Sequence, residues 1–264
     1  MKVLIVGDVV GVPGRDAVKA LVPILRAKHH LDFVIVNAEN VAGGAGVTPK
    51  TAQDLLTTGA DMLTSGQHIW HYREIGPYMD AEPRLLKPAN YPSGTPGFGS
   101  YIYPSKNGVK VGVINLLGRV FMRVDALDDP FRAADRLIEE IKKTTPVIFV
   151  DMHAEATSEK VVMGWYLDGR VSAVVGTHTH IQTADERILP KGTAYLTDLG
   201  MTGPYDSVIG RKIEPVLDKF LTGMPSKFEV AQGNVILCGA IVEVDPATGK
   251  ALKIERVQER FGGS

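Results

Sequence analysis

Five stretches of this 264-residue chain place a metal ligand or acid–base group just after a short apolar run. Asp8 closes KVLIVGD, Glu39 and Asn40 close VIVNAEN, His68 sits in TSGQHIW, His153 closes PVIFVDMH, and His178 and His180 form the pair in VVGTHTH. Apolar runs of four to eight residues bounded by Gly, Asn or Asp read as buried strands. In an open α/β sheet, chemistry collects beyond the carboxyl ends of the strands. The spacing therefore predicts that five segments deliver ligand-type side chains to one edge of one sheet, as a polynuclear metal site requires.

The residue types narrow the metal. Asp8, Glu39, Asn40, His153, His178 and His180 offer two carboxylates, an amide and three imidazoles. A mixed nitrogen and oxygen set suits Zn, Mn, Fe or Co, and the lack of thiolate argues against a structural Cys-type zinc site. Six ligands exceed what one catalytic zinc takes, so two metals sharing a carboxylate is the economical reading. A hydroxide bridging such a pair is a ready nucleophile at neutral pH. His68, facing the substrate without ligating, can act as general acid for a leaving alkoxide. Alone, each has a duller use: Asp8 as a turn residue, Asn40 as a turn former before NVAGGAG, the HxH as two surface histidines. Charge interrupting apolar strands is costly unless compensated, which tilts Asp8 and Glu39 toward metal.

The elements that must position these groups alternate along the chain. A strand at 3–7 passes through the turn GVPGRD into a helical pattern, AVKALVPILRAKHH, which His29 and His30 close. A strand at 33–37 follows. Thr48-Pro49 starts a helix that ends near Gly59, before the strand DMLTS. Asp129-Pro130 opens FRAADRLIEEIKK, the strand PVIFVD follows, and SEKVVMGWYL leads to VSAVVG. Residues 83–108, with five prolines, read as an irregular connector bordering the active-site edge. His71 reads as a helix-start residue. From about 194 the pattern turns β-rich, and NVILCGAIVEVD with ALKIERVQER reads as a hairpin. The expectation is one domain over 1–264, an α/β fold in which two mixed sheets pack face to face with helices outside.

Composition sets further bounds. A formal net charge of −1 argues against a broad nucleic-acid footprint. No run reaches the ~18 apolar residues of a membrane span, and the N-terminal apolar stretch is too short for a signal peptide. The single cysteine, Cys238, lies in an apolar run and reads as a buried strand residue. Cytoplasmic location is the default, and a homo-oligomer is left open. VLIVGDVVGVPGR lacks the close-approach glycine of a dinucleotide site, where Asp8 and Val9 stand.

Taken together, GD, AEN, GQH, the strand-ending histidine and GTHTH resemble the calcineurin-like metallophosphoesterases. The closer resemblance is to their YmdB-type bacterial branch of 2′,3′-cyclic-nucleotide phosphodiesterases, whose motifs match GDVVGVPGR, NAENVAGGAG, TSGQHIW, DMHAEATSEK and GTHTHIQTAD along essentially the whole chain. The resemblance implies an α/β/β/α sandwich and two divalent or trivalent ions, iron or manganese first, with zinc or magnesium tolerated. It implies Asp8, Asn40 and His180 on one metal, Glu39 bridging, and His153 and His178 on the second. His68 would protonate the departing sugar oxygen of a cyclic nucleotide. One departure stands out: the family reads GNH where this chain has Gly66-Gln67-His68. Gln67 keeps the ligating amide but adds a methylene, so weaker or altered occupancy is expected at the second metal. A phosphomonoesterase on the same centre, or a weakly active regulatory protein retaining the fold, are the rival readings.

Overall fold

The computed structural model describes residues 1–262. One sheet is built on the parallel strands β1 (Lys2–Val6), β3 (Phe33–Asn37) and β4 (Met62–Thr64). The late strand β12 (Val235–Val244) pairs antiparallel with β1 on one edge and with β13 (Ala251–Phe261) along the other, which is the expected hairpin. The second sheet runs β5 (Ser100–Pro104), β6 (Lys110–Leu117), β7 (Ile148–His153), β8 (Ala173–Thr177), β10 (Ala194–Leu196), β9 (Arg187–Ile188), with β6, β7, β8 and β10 parallel.

Period-2 alternation stacks these sheets into four layers. Val3, Ile5, Phe33, Ile35 and Met62 face Val113, Phe149, Val175 and Leu196 in a buried layer between the sheets. The opposite residues of the first sheet, Leu4, Val6, Val34, Val36 and Leu63, pack on helices α1 (Gly11–His29) and α2 (Pro49–Thr57). Ile148, Val150, Met152 and Val174 pack on α4 (Pro130–Lys142) and α5 (Thr157–Leu167). The architecture is the α/β/β/α sandwich the motifs implied. A short helix, α3 (Ile75–Ala81), follows β4. No helix among the described residues is long and apolar enough to cross a membrane.

Four expectations need correction. The turn read at GVPGRD is the first part of α1: Gly14 N–H already bonds the Val10 carbonyl, and Pro13 falls in the first turn, where its missing N–H costs nothing. The connector 83–108 ends in a real strand, β5, whose Tyr101 and Tyr103 pack toward the inter-sheet layer and Ile102 outward. It is an edge strand, so Pro104 at its end is tolerated. The β-rich tail contains a helix, α6 (Ile213–Thr222), with Pro215 in its first turn and Gly223 as left-handed cap. His71 ends a short 3-10 turn, Gln67–His71, rather than starting a helix.

Candidate metal centre

The inter-sheet layer changes character at its carboxyl end. Along β3 the inward positions read Phe33, Ile35, Asn37; along β4, Met62, Thr64; along β7, Phe149, Asp151, His153; along β8, Ala173, Val175, Thr177. Each strand thus turns from apolar to polar at the same level. Asp151 ties the polar ends together: its carboxylate accepts from Asn37 Nδ2 (2.9 Å), Thr64 Oγ1 (2.6 Å) and Thr177 Oγ1 (2.7 Å). Burial pushes the Asp151 carboxyl up to about 6, against the lowering effect of those three bonds. The site therefore draws on both sheets, three segments from the first and two from the second, and not on one sheet edge.

Asp8 reaches this level by a break in β1. Gly7 donates to the Cys238 carbonyl (2.9 Å), the last contact with β12, and then β11 (Met201–Pro204) wedges between β12 and the two-residue strand β2 (Asp8–Val9). A Cβ on Gly7 would stand 2.0 Å from the Gly200 carbonyl oxygen, so this close crossing needs glycine. Gly66 is fixed for a similar reason, since a Cβ there would lie 2.3 Å from the His153 ring.

The structure brings together every residue that the sequence assigned to the metal centre, with His68 beside it. Asn40 Nδ2 lies 3.2 Å from His180 Nε2, and Asp8 Oδ1 lies 3.8 Å from the same nitrogen. Gln67 Nε2 lies 3.3 Å from His178 Nδ1, which faces His153 Nε2 at 3.2 Å. Between the two groups Glu39 Oε1 stands 3.7 Å from His153 Nε2 and 3.2 Å from His68 Nδ1. His68 is half-exposed, and its Nδ1 sits against Glu39 and Asn40 Oδ1 (3.1 Å). The hydrogen bond to Glu39 raises its pKa above the usual imidazole range.

Hydrogen bonds behind the rings assign their protons. Thr177 Oγ1 gives its proton to Asp151, so it accepts from His153 Nδ1–H (2.9 Å). The Ile209 carbonyl can only accept, so His180 Nδ1 donates to it (3.0 Å). The Glu155 carboxylate accepts from His178 Nε2 (3.0 Å). All three inward nitrogens, His153 Nε2, His180 Nε2 and His178 Nδ1, are left as lone pairs. Burial lowers the pKa of each ring, His180 to about 4, which keeps them neutral.

Lone pairs thus face lone pairs, with carboxylates beside them. His153 and His178 meet nitrogen to nitrogen with no proton to share. Asp8 is fully buried, its Oδ1 has no hydrogen-bond partner, and burial together with Asp198, Asp151 and Glu39 raises its pKa. Gln67 Oε1 is likewise buried and unpartnered. As they stand, no three His, Cys, Asp or Glu side chains among the described residues are spaced as a ready-made ion site; the rings and amides hydrogen-bond one another across the space. The donor chemistry nevertheless fits cations, because a cation satisfies the orphaned oxygens and relieves the facing lone pairs together.

The YmdB-like sequence profile matches residues 4–257. The chain belongs to the YmdB-like family. It is 54% identical over 257 residues to the 2′,3′-cyclic-nucleotide 2′-phosphodiesterase of Bacillus subtilis, covering 97% of this chain and 96% of that protein. Among solved structures it superposes on a phosphatase from Mycoplasma pneumoniae with a TM-score of 0.92 at 35% identity, over 98% of this chain and 93% of that one. A hypothetical protein from Thermus thermophilus gives 0.91 at 42% identity, over 98% and 99%.

Several residues inside or beside the YmdB-like motifs have roles that the sequence reading does not assign. Asp151, Thr177 and Glu155 flank the named histidines and orient them, but look like ordinary strand or loop residues in sequence. Beneath the Thr177–His180 loop, the fully buried Lys160 donates to Asp198 Oδ2 (2.7 Å), which also accepts from Thr179 Oγ1 (2.6 Å). That clamp holds Thr179 between two residues in left-handed backbone, His178 (φ 97) and His180 (φ 66). Left-handed non-glycine residues persist only when their surroundings impose them. The open cleft outside the histidines, about 450 Å³, is lined by Gln67, His68, His178 and residues 121–124 rather than by the 83–108 segment.

Proposed function

We propose that this protein is a metal-dependent phosphodiesterase that opens 2′,3′-cyclic nucleotides at a two-metal centre. The observation that carries the reading is the convergence of three proton-free imidazole nitrogens with the buried carboxylates of Asp8 and Glu39. Asp8, Asn40 and His180 would hold one ion and Gln67, His153 and His178 the other, with Glu39 shared; the two clusters of short contacts described above support this division. Ions bound there supply Lewis acidity toward phosphoryl oxygens and activation of water at neutral pH. Iron or manganese suits the mixed donor set, and zinc or magnesium is tolerated.

The protein's own groups do the rest. His68 anchors Nδ1–H on Glu39, which turns Nε2 toward the cleft. In that orientation its Nε2–H would pass to the departing sugar oxygen as the P–O bond breaks. The Bacillus subtilis relative is named for cleavage on the 2′ side, which supports a nucleoside 3′-phosphate as product. Gln67 is one methylene longer than the asparagine of the motif, so its cluster binds metal more weakly. In a metal titration, Gln67→Asn tightens the weaker step, and two equal, tight sites in the unaltered protein would count against that assignment.

Elemental analysis of the purified protein, followed by turnover of 2′,3′-cAMP, 3′,5′-cAMP and p-nitrophenyl phosphate under one metal condition, tests the reading. Preferred hydrolysis of the 2′,3′-cyclic diester, lost in His68→Ala with metal retained, supports it. Preference for p-nitrophenyl phosphate points to a phosphomonoesterase, and negligible turnover of all three by metal-loaded protein points to a regulatory role.

A further inference from the structure

The segment joining β6 to α4 is anchored at both ends and by three inward-turned apolar side chains between them. Glu159, in the first turn of α5, accepts from the backbone N–H of Arg119 (3.0 Å) and of Val120 (3.2 Å). The Arg119 guanidinium pairs with Asp129 at 2.7 Å. Met122, Val124 and Leu127 turn inward against the core on the α1 and α2 side. Phe121, between these anchors, is 81% exposed and sits in left-handed backbone at φ 63. Both features are unfavourable for phenylalanine, which loses burial and takes on backbone strain. The anchoring overrides both and holds the ring on the wall of the cleft that ends at Gln67, His68 and His178.

We propose that Phe121 is the platform on which the substrate's nucleobase stacks. This rests on the function proposed above. A cyclic nucleotide has a charged diester at one end and one flat aromatic face at the other. With the diester beside His68, the base extends along the cleft toward residues 121–124. A volume of about 450 Å³ lies within the roughly 300–1,000 Å³ typical of small-ligand sites. An exposed aromatic ring recognises a base by its π-face, and every base has one. Stacking of this kind discriminates weakly among the four bases and strongly between a nucleotide and a diester without a base.

The test compares hydrolysis of 2′,3′-cAMP with that of ribose 2′,3′-cyclic phosphate, which lacks the base, in metal-loaded wild-type, Phe121→Ala and Phe121→Trp proteins. Loss of one stacked base lowers affinity by roughly 5- to 150-fold. In F121A the ratio of kcat/KM for the nucleotide to that for the base-free diester is expected to fall about 10-fold or more, through KM, and to recover in F121W. Equal melting temperatures confirm that the exposed substitution leaves the fold intact. An unchanged ratio in F121A overturns the platform while leaving the phosphodiesterase reading in place. A wild-type protein that turns over neither diester overturns both.

Discussion

The floor and the rim of this cleft are built on opposite principles. Every imidazole of the floor has a fixed partner behind it: Thr177 for His153, the Ile209 carbonyl for His180, Glu155 for His178. Behind those lie fully or nearly fully buried charges, Asp151 and the Lys160–Asp198 pair. The rim at 119–124 is held by backbone hydrogen bonds to Glu159, an exposed ion pair and partly buried apolar contacts, and it leaves Phe121 in solvent. Groups that must hold reacting atoms gain from preorganisation, whereas a surface that accepts differing bases needs only area. Damage to the floor is therefore expected to cost stability and metal, and damage to the rim to cost neither.

The largest effect is expected at Lys160. Replacing it by methionine leaves the Asp198 carboxylate buried without its cation, a loss of about 3–5 kcal/mol for a pair broken on one side. Denaturant unfolding of Lys160→Met reads this directly, and removing the orphaned charge in Lys160→Met/Asp198→Asn restores part of it. Freeing Thr179 also releases the left-handed backbone at His178 and His180, so metal content falls with stability. A Lys160→Met protein of wild-type stability would show that the clamp does not hold the loop.

Thr177→Val comes next. It removes the hydroxyl that accepts from His153 Nδ1 and passes its own proton to Asp151. Groups that orient metal ligands typically contribute about 10–100-fold to metal affinity. Thr177→Val is expected in that range by metal titration, with Thr177→Ser restoring binding and the fold retained. Glu155→Gln should lose less, at the low end of roughly 10-fold. Its carboxylate is half-exposed and water replaces it readily as the partner of His178 Nε2. Should Glu155→Gln lose more than Thr177→Val, the ordering by burial within the floor fails.

This asymmetry also explains what could be read in the sequence. Asp8, Glu39, His153 and the His178–His180 pair were legible because charge and imidazole interrupt apolar strands, where only a compensated group survives. The sandwich followed from alternating strands and helices plus a late hairpin. What stayed hidden depends on long-range packing. Asp151 lies in PVIFVDMH as one polar letter, and its role appears only when Asn37, Thr64 and Thr177 arrive from three other strands. β5 was masked by proline density, although Tyr101 and Tyr103 alternate with Ile102. The α6 helix left a signal in IEPVLDKFLTG, a proline in the first turn and a terminal glycine, which the surrounding strand pattern obscured. Phe121 has no motif at all, because its exposure is a property of its anchors.

Arg119→Ala carries the smallest expected effect and tests the rim side of the comparison. Its pair with Asp129 leaves both side chains more than a third exposed, 47% and 38%, and exposed pairs contribute about 0.2–1 kcal/mol, less in salt. The substitution leaves intact the backbone N–H groups that Glu159 holds, since those belong to the chain and not to the side chain. Stability should therefore change by less than about 1 kcal/mol, with wild-type metal content, in denaturant titrations at low and high ionic strength. A loss as large as that of Lys160→Met would mean that the rim is tied into the same buried network as the floor. A loss confined to low salt would instead identify the pair as an ordinary surface contact, leaving the placement of Phe121 to Glu159 and the inward-turned Met122, Val124 and Leu127.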